Sequence, residues 1–262
     1  MTTSTMMRIA AGLVLAATPL AAPGAIAQSG PIAQRVASAP DGKVRFTFAT
    51  RPDVCGNGDN ITTGSRESSD VVANDCQHGP VRIVLQVQNH QVTKVRTYVG
   101  GEWRADAAAT DLGDVPPQQA ADYLLSLARA GSSQGAKGAI FPATLANGVT
   151  VWPQLLQIAR DDHVASAVRR DAVFWLGQAA GKAATANLAE LANADTVDRG
   201  VREAAIFALS QQHDGSAVPE LIHIAQTNRD PAIRKRAIFW LGQSNDPRAL
   251  ALFENLLTKP AR

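Results

Sequence analysis

Three stretches of this chain, VRRDAVFWLGQ (168–178), VREAAIFALSQ (201–211) and IRKRAIFWLGQ (233–243), are variants of one phrase, and their spacing decides how the rest is read. The shared core occurs once more upstream, so that Ala139-Ile140-Phe141, Ala172-Val173-Phe174, Ala205-Ile206-Phe207 and Ala237-Ile238-Phe239 follow at steps of 33, 33 and 32. A second register keeps time with it. Ile158-Ala159, Leu191-Ala192 and Ile224-Ala225 fall 33 apart, and Leu257 follows 33 after Ile224. Self-similarity at such a period marks stacked supersecondary units, none of which buries its apolar face alone. The two registers, each with helical apolar spacing, give two helices per unit. Arg169, Arg202 and Arg234 stand just ahead of the first helices from the second unit on. Asp230-Pro231 and Asp246-Pro247 supply an N-cap followed by a first-turn proline. Gly177 and Gly242 stand where first helices stop.

On these residues the C-terminal half resembles HEAT repeats of the short bacterial kind, similar to those of phycobilisome lyases. The resemblance implies antiparallel helix pairs stacked into a right-handed curved solenoid of about four repeats, with second helices lining the concave side. The opening unit departs from the pattern, having Pro142 where the others have Trp175, Ala208 and Trp240 and no basic pair before it. We read it as an atypical terminal repeat facing a neighbouring domain.

That neighbour lies upstream. Val44, Phe46 and Phe48 alternate with Arg45 and Thr47, and Val81 to Val87 and Val92 to Val99 repeat the period of two around Gln88-Asn89-His90-Gln91, a hairpin turn. Three strands leave one apolar face, which the following helices are placed to cover. A helix over Ala120 to Ala130 comes first, starting after Pro116-Pro117. The expected architecture is α+β. Residues 28–42 are a flexible lead, 43–110 a small antiparallel β domain, and 111–262 the all-α solenoid.

The N-terminus places the protein outside the cytoplasm. Arg8, an apolar run from Ile9 to Ala17, and Ala25-Ile26-Ala27 read as a Sec-type signal peptide (1–27) cleaved after Ala27, giving a periplasmic or secreted protein. The apolar run is far short of the roughly 20 residues that cross a bilayer, so no stable membrane insertion is expected. An oxidising compartment favours a Cys55–Cys76 disulfide around a Gly, Asn, Asp and Ser-rich loop. A metal pair is the competing reading, without a CxxC or a ligand-spaced histidine to support it.

Composition narrows the function classes. At 45% hydrophobic and 18% charged the chain is globular, and a net charge of +2 gives no reason to expect nucleic acid. Gly131-Ser132-Ser133-Gln134-Gly135 matches G-x-S-x-G, but Ser133 follows a helix where a nucleophile elbow needs a strand. His78, His90, His163, His213 and His223 are scattered without metal-site spacing, and Asp53, Asn57 and Asp59 lack the EF-hand arrangement. The four repeated phenylalanines, with Trp175 and Trp240, read as solenoid core, each indole N–H needing a local acceptor. No catalytic residue, metal or cofactor is expected.

The second helices carry the binding expectation. Gln157, Glu190, His223 and Asn255 form one polar column, and Gln154, Asn187, Glu220 and Leu252 a neighbouring one. Every amphipathic helix has such a face, so a solvated surface is the plain alternative to a groove for a protein or peptide. The expected function is a non-enzymatic binding scaffold. A lyase-like enzyme accessory and a sensory component of an envelope signalling system stay open beside it. Leu252, Phe253, Leu256 and Leu257 exceed what one stacked face uses, which suggests contact with the tail, the sheet or a second copy in a homodimer.

Overall fold

A computed structural model of the chain describes residues 31–64, 76–102, 108–130, 134–212 and 215–258. The signal peptide with its cleavage point, Trp103, Ser133 and His213 lie outside the described residues.

The segment expected to be a flexible lead is ordered from its first described residues. Ile32 and Val36, one helical turn apart, bury the inner face of helix α1 (Ile32–Ala37). The Arg35 guanidinium donates to the Leu112 carbonyl, tying α1 to the sheet.

Strand β1 (Gly42–Phe48) follows, with Val44, Phe46 and Phe48 fully buried as their period of two requires. A ribbon, β2 (Val54–Asn57) and β3 (Asn60–Thr63), intervenes before the expected hairpin of β4 (Val81–Gln88) and β5 (Gln91–Tyr98). Its two-residue turn holds Asn89 and His90 at φ 51° and 57°, the conformation that matches strand twist. Asp41 secures the turn by accepting both amides, at 2.8 and 3.1 Å, and these bonds hold its carboxyl below the usual carboxylate range. Beyond the hairpin, β6 (Thr110–Asp114) pairs with β1 in parallel, giving the order β5-β4-β1-β6. The sheet is thus mixed rather than wholly antiparallel. In β6 only Leu112 of TDLGD is apolar, too little alternation to announce a strand.

Helix α2 (Pro117–Ala130) packs Tyr123 against Phe46, ring centroids 6.4 Å apart. Four helix pairs follow: α3 (Gln134–Thr144) with α4 (Trp152–Arg160), α5 (Ser166–Ala180) with α6 (Thr185–Asn193), α7 (Arg199–Ser210) with α8 (Val218–Thr227), and α9 (Pro231–Gly242) with α10 (Pro247–Thr258). The opening pair meets the sheet: a Cβ on Gly138 of α3 would stand 3.1 Å from the Val95 carbonyl oxygen of β5. Sheet and helices share one continuous hydrophobic core within one compact unit, Pro31–Arg262. The division expected at 110/111 falls inside β6, not between two bodies.

Two helix-end expectations are met at the capping aspartates. Asp230 accepts from the Ala232 amide at 2.9 Å and Asp246 from that of Arg248 at 2.9 Å. Gly242 closes α9, but Gly177 lies inside α5, where its missing Cβ lets α7 approach: a Cβ there would meet that of Ala208 at 2.9 Å. Gly177→Ala gains about 1 kcal/mol of helix propensity and loses about 1–3 kcal/mol to overpacking. A lower Tm is expected, and a raised one would show that α5 and α7 part without cost.

The repeated arginines sit in the first turns of their helices rather than ahead of them. Arg169, buried, reaches Asp198 at the start of α7. Arg202, also buried, donates to the Ala192 carbonyl and to Asn228 Oδ1, each at 3.0 Å, with Asp195 at 3.4 Å and Asp230 at 3.7 Å. Asp230's carboxyl is depressed first by the Ala232 amide and then by Arg199. Arg169 and Arg202 therefore link their own repeats to the beginning of the next, whereas Arg234 donates back to the carbonyls of Asn228 and Arg229 in the α8–α9 link.

Leu257 does not continue the buried register of Ile158, Leu191 and Ile224. It is 87% exposed, and Ala249 and Leu252 form the buried stripe of α10. First and second helices both step by 32 residues into the last repeat (Ile206 to Ile238, His223 to Asn255), so Leu257 stands at the position of Ala225, in the last turn of α10.

Candidate functional site

The second helices present the polar column that the spacing predicts. Gln157 of α4, Glu190 of α6, His223 of α8 and Asn255 of α10 are all exposed. In the neighbouring column Gln154, Asn187 and Glu220 are half-buried, and Leu252 is buried, so that column ends one repeat early.

Cross-helix polar bonds organise the first half of this face. Gln154 donates to Asp122 of α2 at 2.8 Å, and Arg129 of α2 donates to Gln157 at 3.2 Å. Arg160 donates to Glu190 at 2.6 Å. Helix α2 thus extends the face ahead of the repeats. The periodicity did not point to Asp122 or Arg129, because α2 lies outside the repeat. Arg160 escaped as the last residue of its helix. Farther along, Thr227 donates to the His223 carbonyl at 2.8 Å, a bond local to α8.

The phenylalanines do not form the core. Ile140, Val173 and Ile206 do, fully buried, and each following residue is turned by about 100° around the helix. Phe141, Phe174 and Phe207 are therefore half-buried, and Phe239 is 52% exposed. The six rings run as a ladder along the first helices. Centroid separations are 4.8 Å for Phe141–Trp175, 4.9 Å for Trp175–Phe174 and 6.3 Å for Phe174–Phe207. Phe207–Trp240 and Trp240–Phe239 are each at 5.1 Å. These are favourable aromatic spacings, and the rings join repeat to repeat outside the core. The Trp240 indole N–H, expected to find an acceptor, is buried without one among the described residues.

Cys55 and Cys76 are joined as expected. Gly56 and Gln77 add reciprocal backbone bonds at 3.0 and 2.9 Å, so the β2–β3 ribbon is fastened twice to the same segment. Asp53, considered as a calcium ligand, pairs with Arg51 at 3.1 Å. One group among the described residues could converge on a cation: Asp161, Asp162 and His163, adjacent in the α4–α5 link. Asp161 already accepts from the His163 amide at 3.1 Å, and the side chains of Asp162 and His163 are almost wholly in solvent. A cavity of about 270 Å³ opens where Arg51 meets Thr144, Thr150 and Trp152, at the junction of sheet and opening repeat.

Among the described residues, no helix is long and apolar enough to cross a membrane. No curated protein matches the chain. The family model of HEAT repeats matches residues 152–230 and again 196–262, beginning at α4 and leaving out the atypical α3. Repeating helix pairs, their stacking and this match together show that the chain contains a HEAT-repeat domain.

Proposed function

We propose that the protein is an exported, non-enzymatic scaffold that binds a protein or extended peptide along the face shared by its second helices. The carrying observation is the exposed column Gln157, Glu190, His223, Asn255, which runs across all four repeats. Its side chains combine amide, carboxylate and imidazole groups, a mixed polar surface of the kind that recognises extended segments residue by residue. The bonds from Asp122, Arg129 and Arg160 hold its first half in place before any partner arrives, which lowers the ordering cost of binding.

A photo-crosslinking amino acid at His223, compared with one at Arg170 on the exposed side of the first helices, tests this in the producing cells. Expected is a discrete adduct from position 223, absent from position 170 and lost when Glu190→Lys is added. Equal adducts at both positions, or none at 223, would overturn the proposal.

A further inference from the structure

The last repeat ends in a surface that its predecessors cover. Ile140, Val173 and Ile206 occupy one position in successive first helices and are each 0% exposed, whereas Ile238 at that position in α9 is 36% exposed. Phe239 changes likewise: Phe207 before it is half-covered by Trp240 of the next repeat. On α10, Leu250 and Leu257 are 59% and 87% exposed, on the side turned away from the buried Ala249 and Leu252. Among the described residues, the exposed large apolar side chains all belong to this one repeat. Confinement of that kind marks an interaction surface, unlike apolar residues scattered singly.

We propose that a second copy of the chain covers this surface, forming a two-fold dimer through α9 and α10. The surface is in composition a repeat–repeat interface, and a copy presents that same composition in return, as an isologous contact requires. Charge fits the same geometry. Lys235 lies one turn before Ile238 and Phe239 on α9, and Glu254 lies between Leu250 and Leu257 on α10, both exposed. The four-residue link makes the pair antiparallel, which sets Lys235 and Glu254 at the same end. A two-fold axis parallel to the helices lays α9 of one copy over α10 of the other. Lys235 then faces the partner's Glu254, Ile238 and Phe239 come level with the partner's Leu250, and Leu257 extends the apolar strip on the far side of Glu254. The second-helix column remains outside this contact, so dimerisation is independent of the binding function proposed above.

Sedimentation velocity of the purified protein over a rising micromolar concentration series tests the dimer. The parent is expected to reach the dimer mass. Ile238→Glu combined with Leu257→Glu is expected to weaken association at least tenfold, on the order of 1.4 kcal/mol or more, with an unchanged far-ultraviolet circular dichroism spectrum. Lys235→Glu and Glu254→Lys are each expected to weaken the dimer, and the double reversal to restore it. A parent that stays monomeric throughout, a dimer that survives Ile238→Glu/Leu257→Glu, or a double reversal no better than the single changes would overturn the proposal.

Discussion

Arg202→Ala is expected to lower unfolding free energy by about 3–5 kcal/mol, the cost of breaking a buried charged network from one side. The guanidinium is the hub between three consecutive repeats: Ala192 closes one, Arg202 opens the next, and Asn228 and Asp230 introduce the last. Removing it takes one of two donors from the buried Asn228 side-chain oxygen, which keeps only the Asp230 amide at 3.0 Å, and leaves Asp230 without one of its two neighbouring cations. Arg202→Lys keeps the charge but not the planar fork, and is expected to recover only part of the loss. Urea titration followed by circular dichroism measures both. A loss below about 1 kcal/mol for Arg202→Ala would place the network among surface ion pairs of little consequence.

The second large effect is expected at the disulfide. Cys55→Ser with Cys76→Ser releases a loop whose ends are 21 residues apart, worth about 3 kcal/mol in chain entropy. The reciprocal Gly56–Gln77 bonds remain, but they are then closed at the expense of the freed loop. Because sheet and solenoid share one core, the loss is expected in the single unfolding transition of the whole unit rather than in a separate early step. Thermal unfolding with and without reductant, watched through both near- and far-ultraviolet signals, would reveal it. Coincident transitions shifted down support the shared core; a shift in the near-ultraviolet alone would separate the sheet from the helices.

The helix pairs were legible in the sequence because a repeat states its contacts several times over, and four copies of one apolar triplet outweigh local ambiguity. What the triplet did not reveal is which of its members turns inward. Period places Val173 and Phe174 together, but the step of one residue around a helix separates core from ladder. The column of Gln157, Glu190, His223 and Asn255 was legible for the same reason as the repeats, whereas in the neighbouring column Leu252 places an apolar side chain where Gln154, Asn187 and Glu220 are polar, and it is buried. Elements that occur once were the hardest to find. Helix α1 is too short for its apolar pair to stand out, and β6 draws its stability from pairing with β1, a long-range partnership that TDLGD does not advertise. Asp122 and Arg129 belong to the candidate face through tertiary placement alone.

The arginine contacts have a further consequence for how such a chain can change. Arg169 reaches forward to Asp198, and Arg202 lies within ion-pair distance of Asp230, which occupies the same place one repeat later. Excision of one whole period would therefore leave Arg169 facing Asp230 in place of Asp198, with the junction chemically unaltered. Sender and receiver are interchangeable parts, so the array can lengthen or shorten by duplication and deletion without inventing a new joint.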